Sequence, residues 1–235
     1  MPMLDLDAYD RGARLAPAYL VFSPAVVLVV ALSLGTPDWW SKVGGALVAV
    51  GAPFLVVQWG RSGGRRRQAA LWRAWGGAPT TRLLRFADGG SRAAVAQRHE
   101  AVERATGTRL PTPEQEAAEP AEADARYEAA VTALRALTEN ETLVLKENIA
   151  YGFRRNLWAR RRYGIAVALV VLAISIALLI ADAAGPPLAS AVAAAFSALT
   201  LVVWLAMVNE DWVREGAEAY AERLMQTATR LPARE

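Results

Sequence analysis

The sequence predicts an all-α membrane protein: four transmembrane helices in two hairpins, with a helical cytoplasmic insertion between helices 2 and 3. Three observations predict it. Hydrophobic residues make up 54% of the 235-residue chain. Charge is segregated, so that four long stretches carry none at all. Arginine and lysine then gather at one end of each of those stretches.

The uncharged stretches are residues 18–34 (AYLVFSPAVVLVVALSL), 43–59 (VGGALVAVGAPFLVVQW), 165–181 (IAVALVVLAISIALLIA) and 188–208 (LASAVAAAFSALTLVVWLAMV). A helix needs about 20 residues to cross a bilayer, and flanking Trp, Tyr and Gly complete the shorter ones. Helices buried in a soluble bundle would keep a polar face for water, and none of these does. The leader MPMLDLDAYDRGARL is net acidic and its apolar block is too long for a cleavable signal, so the first stretch is expected to stay as a span.

Orientation follows from the bases near the span ends. Residues 61–163 hold 18 arginines and one lysine against 12 acids, whereas the short links 35–42 and 182–187 hold a single base, Lys42. Both termini and the long insertion are therefore expected in the cytoplasm. The expected plan is a cytoplasmic N-terminus (1–16), transmembrane hairpin 1 (17–60), a cytoplasmic helical domain (61–163), hairpin 2 (164–208) and a C-terminal helix or tail (209–235). Trp39, Trp40, Trp59, Trp158, Tyr163, Trp204 and Trp212 fall at or near span ends, as an interfacial aromatic belt would. Ala189, Ala193 and Ser197, four apart, suggest a seam of close helix packing within the chain or between chains.

Inside the insertion, Ser91 is placed to cap a helix closed by Gly107, and Thr112-Pro113-Glu114-Gln115 reads as a capping box with a first-turn proline. Tyr127, Val131, Leu134 and Leu137 recur at helical spacing and predict one buried face. His99 and the acidic run EQEAAEPAEAD read as solvated helix surface. The paired glycines Gly76–Gly77 read as a helix stop.

Two basic stretches carry the candidate site. In ENIAYGFRRNLWARRRYG, five arginines lie within nine positions. On one continuous helix Tyr151, Arg154, Arg155, Trp158, Arg161 and Arg162 would share an arc of about 120°, with Arg160 elsewhere. In RRRQAALWRAWGGAPTTRLLR, Arg65, Arg66 and Arg67 follow the second span, and Arg82 and Arg85 follow the glycine turn and two threonines. Guanidinium groups beside aromatics suit an anionic headgroup or phosphate. The same arginines also suit a plain topological fence, and sequence leaves both open.

Absences narrow the rest. With no cysteine and one histidine, thiolate chemistry, disulfides and cysteine- or paired-histidine metal sites are excluded. No catalytic residue, metal or cofactor is expected. No span holds an ionisable side chain, which disfavours a mid-membrane ion-coupled transporter. No nucleotide-binding fingerprint or sequence-specific nucleic-acid module is recognisable.

WGGAPTTRLLR followed by ENIAYGFRRNLW, ahead of a transmembrane pair, resembles a motif pairing in a family of uncharacterised bacterial multi-pass inner-membrane proteins. The resemblance covers roughly residues 60–185, implies a bacterial inner-membrane location and brings no activity with it. In outline the layout is also similar to small membrane effectors of bacterial defence systems. The expected function is a non-enzymatic sensor or effector whose basic face binds anionic lipid, a nucleotide ligand or a cytoplasmic protein and alters helix packing, as a homo-oligomer or pore. The alternatives are an enzyme acting on phosphate-bearing lipid and a passive scaffold.

Overall fold

A computed structural model describes residues 8–34, 44, 63–181 and 187–233 of the chain. Among these the secondary structure is helix and turn, with no strand. The expected second span, apart from Gly44, lies outside the described residues, as do Trp39, Trp40 and Trp59. The helices are α1 (Ala16–Leu34), α2 (Gly63–Ala74), α3 (Pro79–Arg82), α4 (Arg92–Thr106), α5 (Pro113–Ala118), α6 (Pro120–Leu137), α7 (Thr142–Ala159), α8 (Arg161–Ile180), α9 (Pro187–Ala206) and α10 (Glu210–Ala228). They fall into two compact units. The first takes Met1–Arg67 with Gly152–Val213, the second Gln68–Tyr151 with Arg214–Glu235.

Among the described residues, unit 1 contains three helices long and apolar enough to cross a membrane: α1 with the turn before it, α8 and α9. At 1.5 Å per residue, α8 and α9 are each about 30 Å long, the thickness of a hydrocarbon core. Among the described residues, each buries one side. Ala193 of α9 is buried among Leu28 of α1 and Val171 of α8. Val170, Ile174, Ile180, Leu188, Leu199 and Val202 point outward, between 45% and 81% exposed. Water would penalise so large an apolar surface, whereas lipid does not. Ala189, Ala193 and Ser197 are all buried, so this small-residue seam serves packing inside the chain.

Two prolines shape α1, and both freed carbonyls find new donors. Proline at position i lacks the N–H that would bond the carbonyl at i−4. Pro24 leaves Leu20 O, which accepts from the Ser23 hydroxyl at 2.9 Å. Pro17 leaves Ala13 O, and the chain ahead of it, Asp10–Leu15, winds as a π-helical turn. Asn156 Nδ2 of α7 donates to Ala13 O at 2.7 Å. In a membrane protein such replacement donors are what make helical proline tolerable.

Trp204 departs from the expected aromatic belt. It is only 2% exposed and packs with Val21, Leu157 and Val208. Gly164 makes room for it: a Cβ there would lie 2.2 Å from the indole.

Unit 2 bears out the local signals. Ser91 Oγ accepts from Ala94 N–H, and Gly107 closes α4 at φ 71°. Thr112 and Gln115 form the capping box reciprocally, with Pro113 at the first turn of α5. Tyr127, Val131 and Leu134 are buried, but Leu137 is 48% exposed, because α6 ends there and the chain turns away through Thr138–Asn140. On α10, Ala217, Ala221 and Leu224 form the buried stripe.

Candidate functional site

Arg67, Arg154, Arg155, Arg160, Arg161 and Arg162 of unit 1 lie on or beside the segment where α7 gives way to α8. The expected single helix is interrupted: α7 ends at Ala159, Arg160 adopts φ −104° and ψ 5°, and α8 starts at Arg161. Tyr151, Arg154, Arg155 and Trp158 thus keep the helical spacing of one face, while Arg161 and Arg162 begin a new helix. The break exposes carbonyls that a continuous helix would have satisfied. Arg67 donates to Ala159 O. Arg160 donates back to Asn156 O at 3.0 Å.

A second helix end lies in the same unit. The last turn of α9 leaves Trp204 O and Leu205 O, and Arg161 takes both, through Nε at 3.0 Å and Nη2 at 3.2 Å. After the short link Met207–Asn209, Asn209 caps α10 by accepting from Trp212 N–H at 2.9 Å. Arg154 donates to Trp212 O at 2.9 Å and lies 5.1 Å above the indole ring. Arg154 and Arg161 therefore hold the two sides of the α9–α10 link. Trp158 is half-buried against the Trp204 cluster, Arg155 is half-buried, and Arg162 is exposed.

The partners chosen matter electrostatically. Among the described residues, Arg67, Arg160, Arg161 and Arg162 form no ion pair with a carboxylate. A carbonyl satisfies an N–H but leaves the cation's charge in place, and each guanidinium has five donors. Burial, with the neighbouring Arg67 charge, holds the Arg160 guanidinium below its ordinary value. Arg67 and Arg160 thus lie close as like charges, with no carboxylate on either among the described residues.

The remaining candidates are placed differently. Arg65 and Arg66 belong to α2. Tyr151, in unit 2, is buried and stacks on Tyr220 with centroids 6.4 Å apart and planes at 13°. Arg85 is bidentate on Asp124 (Nε–Oδ1 2.8 Å, Nη2–Oδ2 2.6 Å) and bonds Asp88 at 3.0 Å. Those carboxylates, Asp124 foremost, raise the pKa of Arg85 above the usual arginine value. Its Nη1 also donates to Gly76 O at 2.6 Å, so the glycine turn presents a carbonyl to the arginine. Gly76 (φ 80°) ends α2 as expected, and a Cβ on Gly77 (φ 134°) would meet the Arg85 guanidinium at 2.9 Å. Arg82 lines a groove of about 190 Å³ with Asp88, Glu218 and Glu222, a lining whose charge disfavours an anion. Arg85 is thus held by Asp124, Asp88 and the glycine turn, and Arg82 lies 3.8 Å from Asp88.

Two expectations about solvated residues are overturned. His99 is buried, with Nε2–H donating to Leu84 O at 2.7 Å and its ring against Phe86 and Tyr127. Within the acidic run, Glu116 is buried and accepts from Phe86 N–H, Ala87 N–H and Tyr127 Oη–H, the last at 2.7 Å. Burial, then the Glu116 carboxylate, raises the Tyr127 phenol above its usual range. Turn 83–90 is therefore pinned by buried polar groups, as an irregular segment must be when its amides leave water. No sequence signal marks Glu116, since its donors are backbone amides 29 and 30 residues away. Asn156 was likewise illegible, its partner lying 143 residues distant. Among the described residues, no three His, Asp or Glu side chains cluster as metal ligands would.

Comparison of the chain with protein-family models, with curated proteins and with solved structures found no match.

Proposed function

We propose that the chain is a multi-pass bacterial inner-membrane protein, non-enzymatic, that senses anionic groups at the cytoplasmic membrane surface through its arginine layer. The proposal includes its kinship with the uncharacterised inner-membrane family that it resembles, and the four-span topology with both termini in the cytoplasm. One observation carries it: Arg67, Arg160 and Arg161, around the α7–α8 break, spend their hydrogen bonds on carbonyls and pair with no carboxylate among the described residues. A fence needs only charge, which exposed lysines supply. Guanidinium groups interlocked with helix ends bring charge and geometry together, and headgroup phosphate is the anion at hand. Each basic residue near an anionic bilayer surface contributes about 1 kcal/mol to such attraction.

The test is lipid retention by the purified protein in mixed micelles of phosphatidylcholine and phosphatidylglycerol. Wild type is expected to enrich phosphatidylglycerol, and Arg67→Gln/Arg162→Gln to enrich it less. Arg82→Gln, whose guanidinium faces carboxylates, serves as the control and should retain the enrichment. Equal retention of both lipids by wild type would reduce these residues to topology anchors.

A further inference from the structure

The α9–α10 link is held by side chains that an anion can bind instead. Trp204 O and Leu205 O lie in the last turn of a membrane-length helix, and no backbone N–H among the described residues reaches them. Arg161 alone joins both to the head of α8. Directly beneath, the Trp204 indole lies on Gly164 without room for a Cβ, so clasp and packing form one joint. Arg162, next in sequence, is exposed and makes no hydrogen bond or ion pair among the described residues.

We infer that Arg161 is a membrane-responsive clasp: its guanidinium holds either the two α9 carbonyls or a lipid headgroup phosphate, and anionic lipid loosens the α9–α10 link. The inference rests on the reading of the arginine layer as a surface for anions, and it adds the element that responds. A phosphate anion attracts a guanidinium more strongly than a neutral carbonyl does, because both partners then carry charge. Arg162 brings the phosphate close, and Arg161 has the planar fork to bind it bidentately. Releasing the carbonyls removes the cap of α9 at the interface, where water can take its place. Arg154, held by Trp212 O and its ring, keeps the start of α10 in position.

The experiment is amide hydrogen exchange across residues 204–212 of the full chain in nanodiscs. One set contains phosphatidylcholine alone, one contains phosphatidylcholine with phosphatidylglycerol, and one is neutral with added inorganic phosphate. Wild type is expected to exchange at least about fivefold faster in the anionic discs, the lower end of ordinary coupling between sites. Arg161→Lys lacks the fork, so it should exchange at the fast rate in both kinds of disc. If wild type enriches phosphatidylglycerol yet exchanges equally in both discs, the clasp is wrong and the surface reading survives. Without enrichment, both fall. Acceleration by soluble phosphate in neutral discs would overturn the lipid as the source. The wild-type comparison alone decides the matter should Arg161→Lys fail to fold.

Discussion

Replacing Gly164 with alanine sets two known effects against each other. Alanine in a helix interior is favoured over glycine by about 1 kcal/mol, so an uncrowded site would gain stability. Here the new Cβ would lie 2.2 Å from Trp204 Cε2 and 2.3 Å from Cζ2. Reaching the 3.4 Å at which ordinary contact begins means moving the ring by about 1.2 Å. Val21, Leu157 and Val208 surround the indole, and Arg161 holds the carbonyl of the same residue. Overpacking of a closed site costs about 1–3 kcal/mol, and the immobile ring argues for the upper end. The net expectation is a loss of about 2 kcal/mol, or roughly 4–8 °C in Tm for a chain of this size. The assay is a thermal scan of detergent-purified variants, with Gly164→Ala made alone and combined with Trp204→Leu. Removing the indole should make the alanine harmless or favourable, giving a coupling of at least about 1 kcal/mol. A single variant as stable as wild type, or effects that simply add, would refute the crowding argument.

Asn156→Leu should cost about 1–3 kcal/mol by stranding Ala13 O, and Pro17→Ala should restore part of the loss because residue 17 regains an N–H; thermal scans of the single and double variants check this. Tyr127 predicts a pH dependence of definite sign. With its folded pKa raised, its contribution is intact below the unfolded value near 10 and is lost as pH rises above it. Stability measured from pH 9 to 11 should fall, and less steeply in Tyr127→Phe; equal slopes would contradict the buried Glu116 bond. Topology is checked by single cysteines in the cysteine-free chain. Those at Asp38 and Ala184 should react with an impermeant thiol reagent in intact cells, and those at Ala117 and Thr229 should stay unreactive.

The sequence by itself determined whatever depends on neighbours along the chain or on the solvent. The membrane-length helices α1, α8 and α9 were legible because each is an unbroken apolar run of the kind lipid demands. The caps at Ser91 and Thr112, and the stop at Gly107, were legible because an N-cap reaches only three residues and a left-handed residue strongly favours glycine. Tertiary structure decided the pairings. Nothing local distinguishes Glu116 or His99 from a solvated residue, or tells that Arg161 reaches the end of α9. Within the spans the reason goes deeper. A soluble helix marks its inner face by hydrophobicity, but a helix in lipid is apolar all round. Which face packs is then set by shape, by Gly164 beneath Trp204 and Ala193 against Leu28, and shape is resolved only when the helices meet.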